Sequence, residues 1–187
     1  MSSLHSIGSM NQLADALDVA GFTPDDVTKL RQYKCLAEIK KLLYGYSKIV
    51  QIIHFIDCDA DPFFQRGWKV EEHCKGGQME WGMEKVSLYL SELQKNGKYG
   101  HIEGNKLRKE LKNMHCCNAN VLDYLLAHVE LIPEEWKKKA VFFWGTIYSR
   151  YGGLFVRGLC WDNEWHESAY WLDDGFTSAC PALLNAS

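Results

Sequence analysis

Ala140-Val-Phe-Phe-Trp-Gly-Thr-Ile-Tyr-Ser-Arg-Tyr-Gly-Gly-Leu-Phe-Val-Arg-Gly-Leu-Cys-Trp-Asp-Asn-Glu-Trp-His-Glu-Ser-Ala-Tyr-Trp-Leu172 is the stretch on which the fold turns. It reads as three strands: Ala140–Tyr148, Leu154–Trp161 and Trp165–Leu172. Arg150-Tyr-Gly-Gly153 and Asp162-Asn-Glu164 supply turn residues between apolar runs. Residues from 134 onward hold half of the aromatic side chains and five of the seven tryptophans. If Ser149 faces Leu154 and Trp161 faces Trp165, the two-residue period of a strand sorts every side chain onto one of two faces.

One face then carries Val141, Phe143, Gly145, Ile147, Leu154, Val156, Gly158, Cys160, His166, Ser168, Tyr170 and Leu172, mostly a core composition. Gly145 and Gly158 oppose each other there, leaving room for a ring or a backbone. The other carries Phe142, Trp144, Thr146, Tyr148, Phe155, Arg157, Leu159, Trp161, Trp165, Glu167, Ala169 and Trp171. Aromatic rings with one Arg and one Glu make a surface suited to a planar ligand or a partner's side chains. Trp144, Arg157, Trp161, Trp165, Glu167 and Trp171 are therefore the candidate ligand- or partner-binding residues. The competing reading is that the chain's own helices cover this face.

Upstream, helical spacing at Leu13, Ala16, Leu17 and Ala20 ends at Gly21, and Thr23-Pro24-Asp25-Asp26 restarts a helix with a cap, a proline and two acids. Leu36, Ile39, Leu42 and Leu43 make a third stripe, ended near Gly45. Ile49–Ile56 reads as a strand, and residues 63–82 as irregular. Met83–Gln94 reads as a helix, followed by helices at about 103–113 and 119–129, the latter capped by Asn118 or Asn120. The expectation is an α+β protein: a helical N-terminal part followed by a C-terminal antiparallel β-meander of three to four strands. Residues 1–48 form a small helical subdomain, 49–133 a strand, loop and helical middle region, and 134–187 the Trp-rich meander.

With 187 residues, 47% hydrophobic and a formal charge of −3, the chain has no global attraction for nucleic acid or anionic lipid. No run approaches the ~20 apolar residues that cross a bilayer, and the start lacks the pattern of a signal peptide, so a cytoplasmic protein with free thiols is expected. The binding partner is then an unknown protein or small ligand.

Two other chemistries have residues to carry them. Asp57, Asp59 and Asp61 alternate after an apolar strand, which suits Mg²⁺ or Mn²⁺ in a metal-dependent hydrolase, and equally suits a solvated turn before Pro62. Lys106, Arg108, Lys109 and Lys112 make helix 103–113 basic, a nucleic-acid alternative through phosphate contact. The following helix lacks the cations or amides that read bases. His73-Cys74 and His115-Cys116-Cys117 hold zinc-ligand types at a spacing that rarely meets one tetrahedral ion, leaving only a composite site from the two clusters.

Ala20-Gly-Phe-Thr-Pro-Asp-Asp-Val, Ile56-Asp-Cys-Asp-Ala-Asp-Pro-Phe, Gly67-Trp-Lys-Val-Glu-Glu-His and Ile102-Glu-Gly-Asn-Lys-Leu-Arg-Lys-Glu-Leu resemble segments of a family of uncharacterised bacterial proteins, many from candidate phyla. Asn118–His128, Ile132-Pro-Glu-Glu-Trp-Lys, Phe142-Phe-Trp-Gly-Thr-Ile-Tyr and Tyr170-Trp-Leu-Asp-Asp extend the resemblance over most of the chain. It implies no activity. Cys74 and His115-Cys116-Cys117 depart from the pattern, where the resemblance leads one to expect Lys and ordinary apolar or Pro residues. That weakens the zinc reading.

Overall fold

The computed structural model describes residues 6–32, 36–48, 50, 52–96 and 100–186. The chain falls into two compact units, Met1–Ile52 and Ile53–Ser187. No described helix is long and apolar enough to cross a membrane.

The first unit carries helices α1 (Ile7–Val19), α2 (Pro24–Gln32) and α3 (Leu36–Leu43). Their ends are built locally. Ser6 caps α1 by accepting from the Ser9 amide at 3.1 Å. At its far end Gly21 takes a φ of 79°, its amide donates to the Asp18 carbonyl, and the Phe22 amide reaches back to Leu17. This paired closure needs a residue tolerant of positive φ. Gly45 repeats it after α3, with the Tyr46 amide on Lys41. In α2, Thr23 Oγ1 accepts from the Asp26 amide while Asp26 Oδ2 accepts from the Thr23 amide at 2.9 Å, a reciprocal capping box. None of the described side chains of this unit is buried.

The second unit holds strands β1 (Phe55–Asp57), β2 (Lys69–His73), β3 (Gln78–Glu80), β4 (Val86–Tyr89) and β5 (His101–Glu103), with the short helix α4 (Glu92–Lys95) before β5. Helices α5 (Gly104–Leu111) and α6 (Ala119–Ala127) follow. After them come β6 (Val141–Phe142), β7 (Thr146–Arg150), β8 (Gly153–Asp162), β9 (Glu164–Trp171), β10 (Gly175–Thr177) and β11 (Ala182–Asn185). Among the described residues the main sheet has seven strands in the order β2-β7-β8-β6-β11-β4, with β9 on the other edge of β8. It is mixed, because β11 runs parallel to β6. The expected boundary at 133/134 falls inside this unit: β2 and β4, from the middle region, belong to the same sheet as the C-terminal strands.

Both expected register points hold: Ser149 pairs with Leu154 and Trp161 with Trp165. The first strand, however, is not continuous. β7 pairs Tyr148 with Phe155, whereas β6 pairs Phe142 with Gly158 and Val141 with Leu159. Residue numbers across the first pairing sum to 303 and across the second to 300, so Phe143-Trp144-Gly145 is a three-residue excursion. An odd insertion reverses which face each preceding side chain takes. Val141 and Phe143 therefore pack with Leu159, while Phe142 and Trp144 pack with Ile147 and Val156, the reverse of the expected sorting. Gly145 does not oppose Gly158. A Cβ on Gly158 would meet the Phe142 ring at 2.8 Å, and one on Gly145 would meet the Cys116 carbonyl at 2.6 Å.

Each face of the sheet has its own cover. Leu122 and Leu125 of α6, with Trp81 and Trp136, pack on Val141, Leu159 and Leu183. Leu107 and Leu111 of α5, with Ile102 and Phe176 of the β5/β10 ribbon, pack on Phe142, Ile147, Val156 and Leu172. Two further expectations fail. Met83–Gln94 is a 3₁₀ turn (Met83–Lys85) followed by β4, with helix only at α4, because Val86–Tyr89 is drawn into pairing with β11. The strand expected at Ile49–Ile56 is confined to β1, with positions 49 and 51 outside the described residues.

Candidate functional site

The six residues expected to share one aromatic face have separate surroundings. Arg157 is 2% exposed and lies between Asp123 of α6 and Glu167 of β9. Its Nε donates to Glu167 at 2.9 Å, its Nη2 to Asp123 at 2.6 Å, and its Nη1 faces the Tyr148 hydroxyl. Burial opposes its charge, but Asp123 and the Tyr148 hydroxyl overcome this and hold its pKa above the ordinary guanidinium value. One cation facing two carboxylates is a clamp that fixes α6 on the sheet, with every polar arm engaged. Trp161 and Trp165 meet edge to face at 5.1 Å, with the Lys137 ammonium 4.0 Å above the Trp161 ring. Trp171 is 41% exposed and rests its edge on Phe155. Trp144, at 5% exposure, is on the opposite side of the sheet altogether, carried there by the excursion at 143–145.

Asp57, Asp59 and Asp61 are exposed. Asp57 Oδ1 accepts from the Asp59 amide at 3.0 Å, and Asp59 Oδ1 accepts from the Gly77 amide at 2.9 Å. Asn120 locks the same segment by donating to the carbonyls of Asp57 and Ala60. Two of the three carboxylates thus close a turn, Asp59 tying it to the segment between β2 and β3. Among the described residues no three His, Cys, Asp or Glu side chains converge to hold a metal ion.

What the structure does bring together is Trp144 with the basic helix. A cavity of about 780 Å³ opens between the C-terminal turn of α5 and the end of β2, lined by His73, Cys74, Arg108, Lys109, Lys112, Met114, Cys116 and Trp144 among others. Helical spacing puts Arg108, Lys109 and Lys112 on adjacent positions around the end of α5, where cations also complement the helix dipole. Arg108 forms a two-pronged ion pair with Glu72 of β2, bridging the mouth. Lys109 and Lys112 have no ion-pair partner among the described residues. Lys106 lies outside the cavity lining and faces Glu103 at 3.8 Å.

The wall opposite the cations is held by a continuous hydrogen-bond network. Cys74 donates its amide to the Gly145 carbonyl at 2.6 Å, and Gly145 donates to Cys117 at 2.9 Å. This close approach is what requires glycine at 145. The Asn118 side chain both caps α6 and donates to the carbonyls of Cys58 and Cys74. Thr146 Oγ1 accepts the Ala119 amide and meets His73 Nδ1 at 2.9 Å, while His73 Nε2 meets the Cys58 carbonyl at 3.2 Å. The network is complete when Thr146 donates to Nδ1 and Nε2–H donates to Cys58. Within this ordered wall one donor is orphaned: the Trp144 indole N–H is buried with no acceptor among the described residues. Leaving such a group unpaired costs about 1–3 kcal/mol.

A second cavity of about 580 Å³ adjoins the first, sharing Cys74, Lys112, Met114 and Cys116 and adding Cys58, His115 and Cys117. Cys74 and the His115-Cys116-Cys117 cluster, about forty residues apart in the chain, thus border the same space, with His73 lining the first cavity beside it. Burial raises the thiol pKa values from the ordinary 9.0, to about 11 at Cys58 and about 12 at Cys116, and further at Cys117. These thiols are protonated near neutral pH and poor nucleophiles there. The cleft itself had a cue in the sequence, since Trp144 and the basic helix were both singled out; what joined them was the reversal of faces at 143–145. No protein-family model, curated protein or solved structure matches this chain.

Proposed function

We propose that this chain is a non-enzymatic binding protein whose ligand is a small anionic molecule held in the cleft between α5 and the end of β2. The observation that carries this reading is the convergence of Arg108, Lys109 and Lys112 with Trp144 on one cavity of about 780 Å³. That volume lies in the range of small-molecule sites, about 300–1,000 Å³. The ammonium groups of Lys109 and Lys112, without an ion-pair partner among the described residues, supply attraction for phosphate or carboxylate, and Arg108, already oriented by Glu72, supplies a planar donor set. The indole N–H in the wall, desolvated and without an acceptor, is the kind of group that a bound acceptor satisfies. The binding residues on this proposal lie at the Trp144 end of the sheet and not on the Trp/Arg/Glu face.

The nucleic-acid alternative draws on the same cations. With Lys106 facing Glu103 and Arg108 facing Glu72, Lys109 and Lys112 remain, a small footprint beside the 6–10 phosphate contacts of a typical DNA-binding surface. A small ligand fits that charge better. The hydrolase alternative draws no support from Asp57 and Asp59, which are engaged as turn acceptors.

The test is thermal denaturation of the full chain with a panel of small phosphates and carboxylates. A ligand at 100 times its Kd adds about 2.7 kcal/mol to the native state, a rise of several degrees in Tm. Lys109→Gln with Lys112→Gln should abolish the shift, and Trp144→Phe should reduce it. A panel that leaves Tm unchanged at millimolar concentrations, or a shift indifferent to the lysine changes, removes this reading.

A further inference from the structure

Sulfur is concentrated where the two cavities meet. Four of the chain's seven cysteines (Cys58, Cys74, Cys116 and Cys117) and two of its five methionines (Met79 and Met114) line the smaller one. Cys74, Met114 and Cys116 line both cavities, so these three side chains border their junction, Cys74 just past β2 and the other two on the segment after α5. The Cys116 Sγ is oriented by the Leu111 carbonyl, 4.0 Å away at the end of α5. Cys74 is exposed and reachable from solvent.

We propose that Cys74, Cys116 and the thioether of Met114 form a binding site for a soft monovalent d¹⁰ cation of the cuprous class. Ligand type decides the cation. Thiolate and thioether sulfur select Cu(I), whereas Mg²⁺, Mn²⁺ and Ca²⁺ require oxygen and structural zinc requires four ligands of the Cys/His type. A set of two thiols and one thioether is short for zinc, in keeping with the lack of any three converging His, Cys, Asp or Glu among the described residues. It is sufficient for a cation that takes two or three sulfur ligands.

The binding step balances without a redox partner. Two thiols and Cu⁺ give a bis-thiolate complex of net charge −1 and two released protons, with copper remaining Cu(I) throughout. Lys112, which also lines both cavities and has no ion-pair partner among the described residues, carries the compensating positive charge. Because both thiols give up their protons on binding, copper affinity increases with pH. The ligands of this site are distinct from those of the anion reading: copper uses the sulfur wall and the anion uses Arg108, Lys109 and the indole, with Lys112 shared between them.

The experiment is anaerobic titration of the full-length chain with Cu(I) in competition with a chromophoric Cu(I) chelator. One equivalent should be retained per chain, with sulfur-to-copper charge-transfer absorption appearing in step. Cys74→Ser should weaken retention at least tenfold, and because Cys74 is exposed this variant keeps the native thermal transition. Met114→Leu should weaken it severalfold, and Cys160→Ser with Cys180→Ser should leave it unchanged. Lys109→Gln should also leave it unchanged while lowering anion binding, which separates failure of one proposal from failure of the other. No retained equivalent in the wild-type chain, or equal retention in Cys74→Ser, would overturn the site.

Discussion

The three helices of Met1–Ile52 announce their ends in the sequence, yet none of their described side chains is buried. In Ile53–Ser187 the proportions are reversed. Its local signals are weaker, but it closes apolar clusters on both sides of a seven-stranded sheet, with Leu107, Leu122, Leu125, Val156 and Leu159 fully buried. Ile7, Met10, Leu13 and Val19 in the first unit remain more than half exposed. Caps and turn glycines contribute about 1 kcal/mol each and specify where a helix starts and stops, whereas the hydrophobic burial that makes folding cooperative scales with apolar area removed from water. The two units separate these contributions.

The largest test cuts the chain at this boundary. The fragment 53–187 should retain the cooperative thermal transition of the full chain within a few degrees. The fragment 1–52 should show helical circular dichroism that declines gradually on heating with no transition of its own, as expected for short helices lacking a core. A sharp, two-state melt of fragment 1–52 would break the comparison.

Next in size is the clamp in the second unit. Arg157→Met leaves the part-exposed Asp123 and Glu167 with no cation, a cost between the ~1 kcal/mol of an exposed pair and the ~3–5 kcal/mol of a fully buried one. Chemical denaturation should report the loss in the main transition. The triple change Arg157→Met, Asp123→Leu and Glu167→Leu should recover much of it, since an apolar set of similar volume escapes the desolvation penalty. If the single change cost under 1 kcal/mol, the cluster would be behaving as a surface ion pair.

A graded effect, read as a slope against pH and not as a single loss, follows from the Cys58 and Cys116 thiols. Cys58 and Cys116 titrate near 11 and 12 when folded, against an ordinary value of 9.0. Between these limits the unfolded chain has lost its thiol protons and the folded chain keeps them, so stability falls as pH rises. The contribution is fully present below pH 9.0 and is lost toward pH 11–12, at about 1.4 kcal/mol per pH unit for each thiol. Denaturation midpoints from pH 8 to about 11 should show this slope, and Cys58→Ala with Cys116→Ala should flatten it.

How far the sequence could be read follows the same division. The Thr23 cap, the Gly21 and Gly45 stops, the Asn118 cap and the hairpin register at Trp161 and Trp165 were legible, because each is decided by residues within a few positions of one another. The failures have distant causes. Val86 and Leu88 fit a strand as well as a helix, and pairing with Ala182–Asn185, nearly a hundred residues on, draws them into the sheet. The excursion at Phe143-Trp144-Gly145 is held by Cys74 and Cys117, and it alone moves Trp144 from the Arg157 face to the basic helix. The candidate residues were thus partly named from the sequence but grouped wrongly, since grouping depends on which face a side chain takes.

The smallest test returns to the unit whose structure is local. Thr23→Ala removes the acceptor for the Asp26 amide and frees the Asp26 carboxylate of its hydroxyl partner, which costs the start of α2 about 0.5–2 kcal/mol. Hydrogen exchange at the amides of residues 25–27 should quicken accordingly. The main thermal transition should not move, because none of the described side chains of this unit is buried. Acid should act in the same direction: the Thr23 hydroxyl and amide hold the Asp26 carboxyl below its ordinary 3.8, so the stabilisation is present above that value and fades as pH falls through the lowered one. A Thr23→Ala chain whose main transition dropped by several degrees would show that the first unit's local order supports the second unit's core, and the distinction between them would have to be redrawn.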